Sequence, residues 1–154
     1  MFLIVSQLHR LIHTQRLGQG FGGFSFQSLS DRIGDAECNL VITADGGFRG
    51  AKDIPLKSVV DEALKTSPSV QKVIVLKRTN TTVIMQKGRD VWWHDVVGAA
   101  SAEHTPEAHD AEHPLFVLYT AGTTAKPKGI LHTTGGYLAQ ASFTHKIVFD
   151  LEND

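Results

Sequence analysis

The strongest constraint on this chain is the order of its apolar runs. NLVITA (39–44) and KVIVL (72–76) are short and rich in β-branched residues, the composition of buried strands. Between them Pro55 opens a segment with Leu56, Val59, Val60, Ala63 and Leu64 on one helical face, and Pro68 marks the turn out of it. Strand, helix and strand in that order predict one α/β unit with at least partly parallel strands. Upstream, Ser25 can cap a helix carrying Leu29, Ile33 and Ala36 at helical spacing, although Gly34 weakens it. Downstream, TTVIM (81–85) reads as a third strand with the character of an edge. Asp90 can cap a short helix through Val91, Trp92, Trp93, Val96 and Val97. Adjacent tryptophans cannot both face the core of one helix, so one is expected inside and the other over a neighbouring loop. Residues 98–114 read as polar loop, 115–120 and 129–132 as strands, and 135–146 as a closing helix.

Composition narrows the function classes. With 154 residues the chain has the size of one domain, and 15 basic against 16 acidic side chains give no general attraction to nucleic acid or to a membrane surface. No apolar run reaches the roughly 18 residues of a membrane span. The single cysteine, Cys38, excludes an internal disulfide, fits a reducing compartment and reads as a packed small apolar residue. The first 20 residues lack the basic start and long apolar run of a secretory signal, and read as a leader. Their Arg10 and Arg16, with no acid before Asp31, give a faint transit-peptide composition. The expected location is cytoplasmic, with mitochondrial as the alternative.

Chemistry concentrates in TAGTTAKPKG, residues 120–129, directly after an apolar strand. Phosphate recognition needs inward N–H groups, hydroxyl donors and positive charge on a backbone free to turn. Gly122 and Gly129 permit the turns, Thr120, Thr123 and Thr124 offer hydroxyls, and Lys126 and Lys128 offer ammonium groups. Pro127 holds the lysines in an extended segment. The preceding strand would put this loop at the carboxyl edge of a sheet, where α/β folds bind ligands. The pattern is not that of the familiar P-loop, and a phosphate loop and a surface hairpin with solvated lysines both fit the composition.

A second basic segment, DGGFRGAKD, follows the first buried strand and reads as a glycine-rich loop. Arg49 and Lys52 there lie three apart, so both can reach one phosphate, or both can be solvated loop charges. His104, His109 and His113 lie among acidic residues, but Pro106 and Pro114 bracket them and no third ligand has defined spacing, so no metal site is expected. His94, beside Trp93, reads as a packed or capping histidine rather than a base. No Ser/His/Asp order suggests a hydrolase.

The segment LYTAGTTAKPKGILHTTGGYL resembles the signature of the adenylate-forming enzymes, Y-T-S/T-G-S/T-T-G-x-P-K-G, and KPKGILHTTGGYL is similar to the acetyl-CoA synthetase branch. FGGFSFQSLSDRIGDAECNLVITADGGFRGAKDIPLKSVVDEAL, DVWWHDVV and THKIVFD resemble segments of that family in the same order. The likeness runs from about Phe21 to Asp150, which makes residues 21–154 part of a large N-terminal, AMP-binding domain and residues 1–20 a non-matching leader.

The resemblance implies a two-step ligase. Acetate attacks the α-phosphorus of Mg·ATP to give acetyl-adenylate and pyrophosphate, and the CoA thiol then gives acetyl-CoA and AMP. ATP, acetate and CoA would be its small-molecule partners, with no bound cofactor expected. The resemblance places Thr120, Gly122, Thr123, Thr124, Lys126, Lys128 and Gly129 on the β- and γ-phosphates, where oriented donors neutralise the leaving group. It places Arg49, Gly50, Ala51 and Lys52 on CoA. Ala121 and Ala125 depart from the family pattern, removing a hydroxyl and a glycine. Lys52 keeps charge but loses the planar fork of the arginine usual there.

Segments resembling the family's adenine and ribose motifs, most of its acetate pocket and its C-terminal catalytic-lysine domain are not found, so no catalytic residue is assigned. The chain is therefore expected to be a truncated acetate–CoA ligase, inactive alone, with unpaired strand edges. The alternatives are a stand-alone nucleotide- or CoA-phosphate-binding module and one piece of a split enzyme that needs a complementary chain.

Overall fold

The computed structural model describes residues 2–8, 14–20, 25–103, 105, 108–120 and 128–151, with side chains described from residue 25 onward. Among the described residues nine strands and four α-helices follow one another as β1 (Phe2–Leu8), β2 (Thr14–Gly20), α1 (Phe26–Asp35), β3 (Leu40–Ala44), β4 (Gly47–Arg49), β5 (Lys52–Ile54), α2 (Leu56–Ala63), β6 (Lys72–Leu76), β7 (Asp90–Trp92), α3 (Trp93–Gly98), β8 (Pro114–Thr120), β9 (Lys128–Thr133) and α4 (Thr134–Ile147). Seven strands form one mixed sheet in the order β7-β6-β3-β1-β2-β8-β9, and β4 and β5 form a separate hairpin. The sequence thus folds as the α/β unit its alternation predicts.

The core lies where α1 and α2 cover β3 and β6. Ser25 caps α1 by accepting a hydrogen bond from the Ser28 amide at 3.3 Å, and α1 turns Leu29 and Ile33 inward. Helix α2 turns Leu56, Val60 and Ala63 inward. Alternation along the strands delivers Val41 and Thr43 from β3, and Val73 and Val75 from β6, to the buried side. These strands run parallel in the register Val41↔Val73 and Thr43↔Val75. Cys38 joins the same cluster, as expected of a small apolar residue. Burial pushes its thiol up to about 12, with the Asp35 carboxylate adding to the effect, so it stays protonated near neutrality.

Three expectations are corrected here. TTVIM forms no strand; the place beside β6 is taken by Asp90–Trp92, which pairs parallel to it in the register Val73↔Asp90. Asp90 therefore begins a strand instead of capping a helix, and the helix starts only at Trp93. Its carboxylate decides the matter, because it lies against Lys57 and Arg89 and accepts from the Gln86 amide. Trp92 packs against the core while Trp93 remains 39% exposed, which divides the pair as expected. DGGFRGAKD is likewise more ordered than a loop: it is the β4–β5 hairpin.

Nor are β3 and β8 left as open edges. Strand β1 pairs antiparallel with β3 through Leu3↔Ile42, and β2 pairs parallel with β8 through Leu17↔Phe116. Strands β1 and β2 thus lie between the halves of the sheet. No helix among the described residues is long and apolar enough to cross a membrane.

Candidate functional site

Strand directions set the geometry of the site. Strands β3, β6 and β7 are mutually parallel; β1 reverses, β2 reverses again, and β8 is parallel to β2. Hence β3, β6, β7 and β8 all end at one edge of the sheet. Ala44, Leu76 and Thr120 thus stand at the carboxyl edge, where α/β sheets hold ligands. Two strands separate β3 from β8, so the two basic segments start on the order of 14 Å apart, three strand spacings.

Thr120 and Lys128 are direct cross-strand partners at the end of the β8–β9 ladder, and Tyr119 faces Gly129 one step below. Partners of this kind project to the same face, so the strand that leads in and the strand that leads out bring a hydroxyl and an ammonium together, both exposed. Gly122, Thr123, Thr124 and Lys126 lie outside the described residues. The strands that flank this segment pair antiparallel, and the pairing brings two of the expected phosphate donors side by side.

Gly129 has a specific reason to lack a side chain. A Cβ there would stand 2.9 Å from Val117 Cγ1 and 3.0 Å from Tyr119 Cε1. The Tyr119 ring lies across the strand at this point. Its hydroxyl donates to Asp35 Oδ2 at 2.6 Å, and the Arg32 guanidinium sits 5.4 Å from the ring centroid. Burial, then the Asp35 carboxylate, push the phenol above its ordinary range. With Ser30, Asp31, Arg32 and Asp35, Tyr119 lines an open cleft of about 500 Å³.

In the second basic segment Arg49 and Lys52 are cross-strand partners, so the hairpin turns both exposed side chains to one face. Gly50, at φ +61°, takes the left-handed position that a tight hairpin turn reserves for glycine, and Ala51 completes the turn. A spacing of three along the chain thereby becomes side-by-side placement.

Asp45 is the residue that sequence reasoning passed over. It follows β3, is 1% exposed, and its carboxylate collects four backbone amides. Oδ1 accepts from Gly46 at 2.7 Å, Arg78 at 2.8 Å and Thr79 at 3.0 Å, and Oδ2 accepts from Thr81 at 3.1 Å. Burial raises its pKa, but the amides of Thr79, Arg78 and Gly46 together lower it further, and the net value lies below the usual carboxylate range. Asp45 thus holds the 78–81 loop at the same edge as the basic segments. An aspartate directly after a strand and before two glycines was the only signal in the sequence.

A charged network was also missed. Lys57, 1% exposed, donates to both oxygens of Asp61 at 2.7 and 2.8 Å, to the Ile84 carbonyl at 3.2 Å, and lies 2.8 Å from Asp90 Oδ2. Arg89 bridges Asp61 and Asp90. Burial raises the Asp90 pKa, whereas Arg89, Lys57 and the Gln86 amide lower it, and the net is a depressed value. The Lys57–Asp61 spacing of four on a helix was legible; the partners from residues 84–90 were not.

The histidines are placed without any ligand set. The rings of His109 and His113 stack at 4.1 Å, and His104 lies outside the described residues. Among the described residues no group of three His, Cys, Asp or Glu could hold a metal ion. His94 is neither packed nor capping: its side chain is exposed, stacked 6.0 Å from Trp92 and 3.4 Å from Asp95.

The AMP-binding enzyme family model matches residues 22–154. The acetyl-coenzyme A synthetase of Streptomyces avermitilis is 60% identical over 132 residues, covering 86% of this chain and 20% of that protein. The acetyl-coenzyme A synthetase of Nostoc linckia is 60% identical over 130 residues, covering 84% of this chain and 39% of that protein. Among solved structures, an acetoacetyl-CoA synthetase from Streptomyces lividans aligns with a TM-score of 0.72 and 31% identity, over 83% of this chain and 19% of that one. The chain spans about a fifth of the length of the first of these relatives.

Proposed function

This chain belongs to the AMP-binding enzyme family, and on that premise we propose that it carries the phosphate-contacting and CoA-contacting part of an acetate–CoA ligase. The observation that carries this reading is the pairing of Thr120 with Lys128 at the carboxyl edge of the sheet, in a chain 60% identical to an acetyl-coenzyme A synthetase. Thr120, Gly122, Thr123, Thr124, Lys126, Lys128 and Gly129 hold the β- and γ-phosphates of Mg·ATP. Their amides, hydroxyls and ammonium groups offset the charge that builds on pyrophosphate as acetate attacks the α-phosphorus. Arg49 and Lys52, on one face of their hairpin, hold a phosphate of CoA, and Gly50 and Ala51 let the backbone approach it. Mg²⁺ arrives with the nucleotide as substrate.

These 154 residues alone do not complete the reaction. Adenylation requires acetate, base, ribose and triphosphate to be positioned together, and a phosphate site without the others forfeits most of the rate. A second reading, one piece of a split enzyme, is favoured by the surface of α4. Leu138, Phe143 and Ile147 are each about 60% exposed and lie on different sides of the helix, an apolar surface all round that is suited to covering by further polypeptide.

The test is binding and turnover in parallel. Millimolar Mg·ATP is expected to raise the melting temperature of the chain, and Lys128→Ala to remove that rise. Acetate-dependent exchange of pyrophosphate into ATP is expected to be absent. Exchange by the purified chain would refute the claim of insufficiency, and a melt indifferent to ATP would refute the phosphate site.

A further inference from the structure

The phosphate reading leaves unexplained why the root of the β8–β9 hairpin is tied to a helix that lies before β3 in the chain. Asp35 is the last residue of α1, 84 positions before Tyr119, yet the Tyr119 hydroxyl donates to it at 2.6 Å. The ring so held lies over the backbone of Gly129, where a Cβ would collide with it. Arg32, one turn earlier on α1 and 5% exposed, faces the ring and accounts for its direction through cation–π attraction. Tyr119 and Gly129 are the pair immediately below Thr120 and Lys128.

We propose that Asp35 and Tyr119 are positioning residues: their hydrogen bond presses the Tyr119 ring onto Gly129 and fixes where Thr120 and Lys128 present their donors to phosphate. This inference rests on the phosphate reading of that edge. Neither side chain touches the ligand. The tie acts by holding two strand ends at one separation and one twist, so that ligand binding does not have to order them. Three elements must agree for it to exist: an acid at the end of α1, a phenol next to the end of β8, and glycine at its cross-strand position.

The test uses inorganic tripolyphosphate as the probe, with the 154-residue chain. Tyr119→Phe removes only the hydroxyl, and Asp35→Ala removes the acceptor. Each is expected to weaken tripolyphosphate binding roughly fivefold, the worth of one hydrogen bond, and to speed amide exchange across residues 129–132. The double variant should lose no more than either single one. Asp35→Asn, which keeps a carbonyl acceptor, should recover most of the affinity, a rescue that general destabilisation would not give. Gly129→Ala should weaken binding as well, by displacing the ring. Unchanged affinity in Tyr119→Phe and Asp35→Ala, in a parent chain that binds, would overturn the proposal and leave the phosphate site standing. Failure of the parent chain to bind tripolyphosphate would overturn the phosphate reading itself.

Discussion

The two halves of the sheet are built from the same alphabet and end in different states. In the half made of β3, β6, α1 and α2, seven apolar side chains from Leu29 to Val75 are no more than 1% exposed, among them Ile33, Val60 and Val73. In the half made of β8, β9 and α4, the run LFVLY is just as apolar and GILHT adds Ile130 and Leu131, yet no described residue of these elements is buried. Helix α4 has no buried residue over its 14 positions. The difference is one of cover. The first half has two helices packed on one face of its strands, whereas α4 rests on β9 and β8 through a small cluster in which Phe116 meets His132 at 4.7 Å and Tyr137 at 4.9 Å. Apolar content makes a strand, and only a second layer makes a core.

The contrast can be broken most sharply at the buried cation. Lys57→Ala leaves Asp90, whose side chain is wholly buried, without its ammonium partner. We expect a loss of about 3–5 kcal/mol in urea unfolding, while Lys57→Met, which refills the space, should behave like Lys57→Ala if charge decides and much better if packing does. Next in size, Ile33→Ala should cost about 2–4 kcal/mol through the cavity it opens. A loss below about 1 kcal/mol would mean that the first half is no better packed than the second.

Acid should separate the halves as well. The depressed pKa values of Asp45 and Asp90 mean that the folded chain binds protons less readily than the unfolded one. Their contribution is fully present above the unfolded value of about 4 and is lost as pH falls through the folded values. Stability measured from pH 6 down to pH 2 should therefore drop steeply below about pH 4, with amide protection in residues 41–45 and 73–81 lost together. Asp45→Asn should lower stability at pH 7 by about 1–3 kcal/mol, since an amide nitrogen must then face a backbone donor, and should flatten that slope. A variant with an unchanged slope would remove Asp45 from the account. The smallest effect belongs to the uncovered half: Leu138→Ser should change stability by less than about 0.5 kcal/mol. It should nonetheless reduce self-association seen by light scattering, if the α4 surface is what brings molecules together.

The legible parts of the fold were those fixed by neighbours in sequence. The Ser25 cap, the faces of α1 and α2, the strands β3 and β6, and the strand pair around residues 120–129 each follow from a period or a cap within a few positions. The misread parts were decided by distant partners. TTVIM has the residues of a strand, but the amides at Thr79 and Thr81 are engaged by Asp45, and β6 takes Asp90–Trp92 as its neighbour. The DGGFRGAKD segment is the exception: its glycines suggest a loop, while the pairs Phe48↔Asp53 and Arg49↔Lys52 that make it a hairpin are local. Of the site, the types and spacing of Thr120, Lys128, Arg49 and Lys52 were visible. The tie from Tyr119 to Asp35 spans 84 positions and leaves no local trace.

The Asp45 cradle has a consequence for how this edge of the molecule can vary. Its four bonds reach the main chain of Gly46, Arg78, Thr79 and Thr81, and the peptide N–H is common to every residue except proline. The shape of the loop is therefore written in groups that substitution does not remove. The side chain at 78 can be exchanged, which would let different sequences offer different contacts on one unchanged backbone. Three positions lie outside that freedom: the carboxylate at 45, Gly46, where a Cβ would meet the Thr79 side chain, and Asn80, whose φ of +58° favours asparagine or glycine.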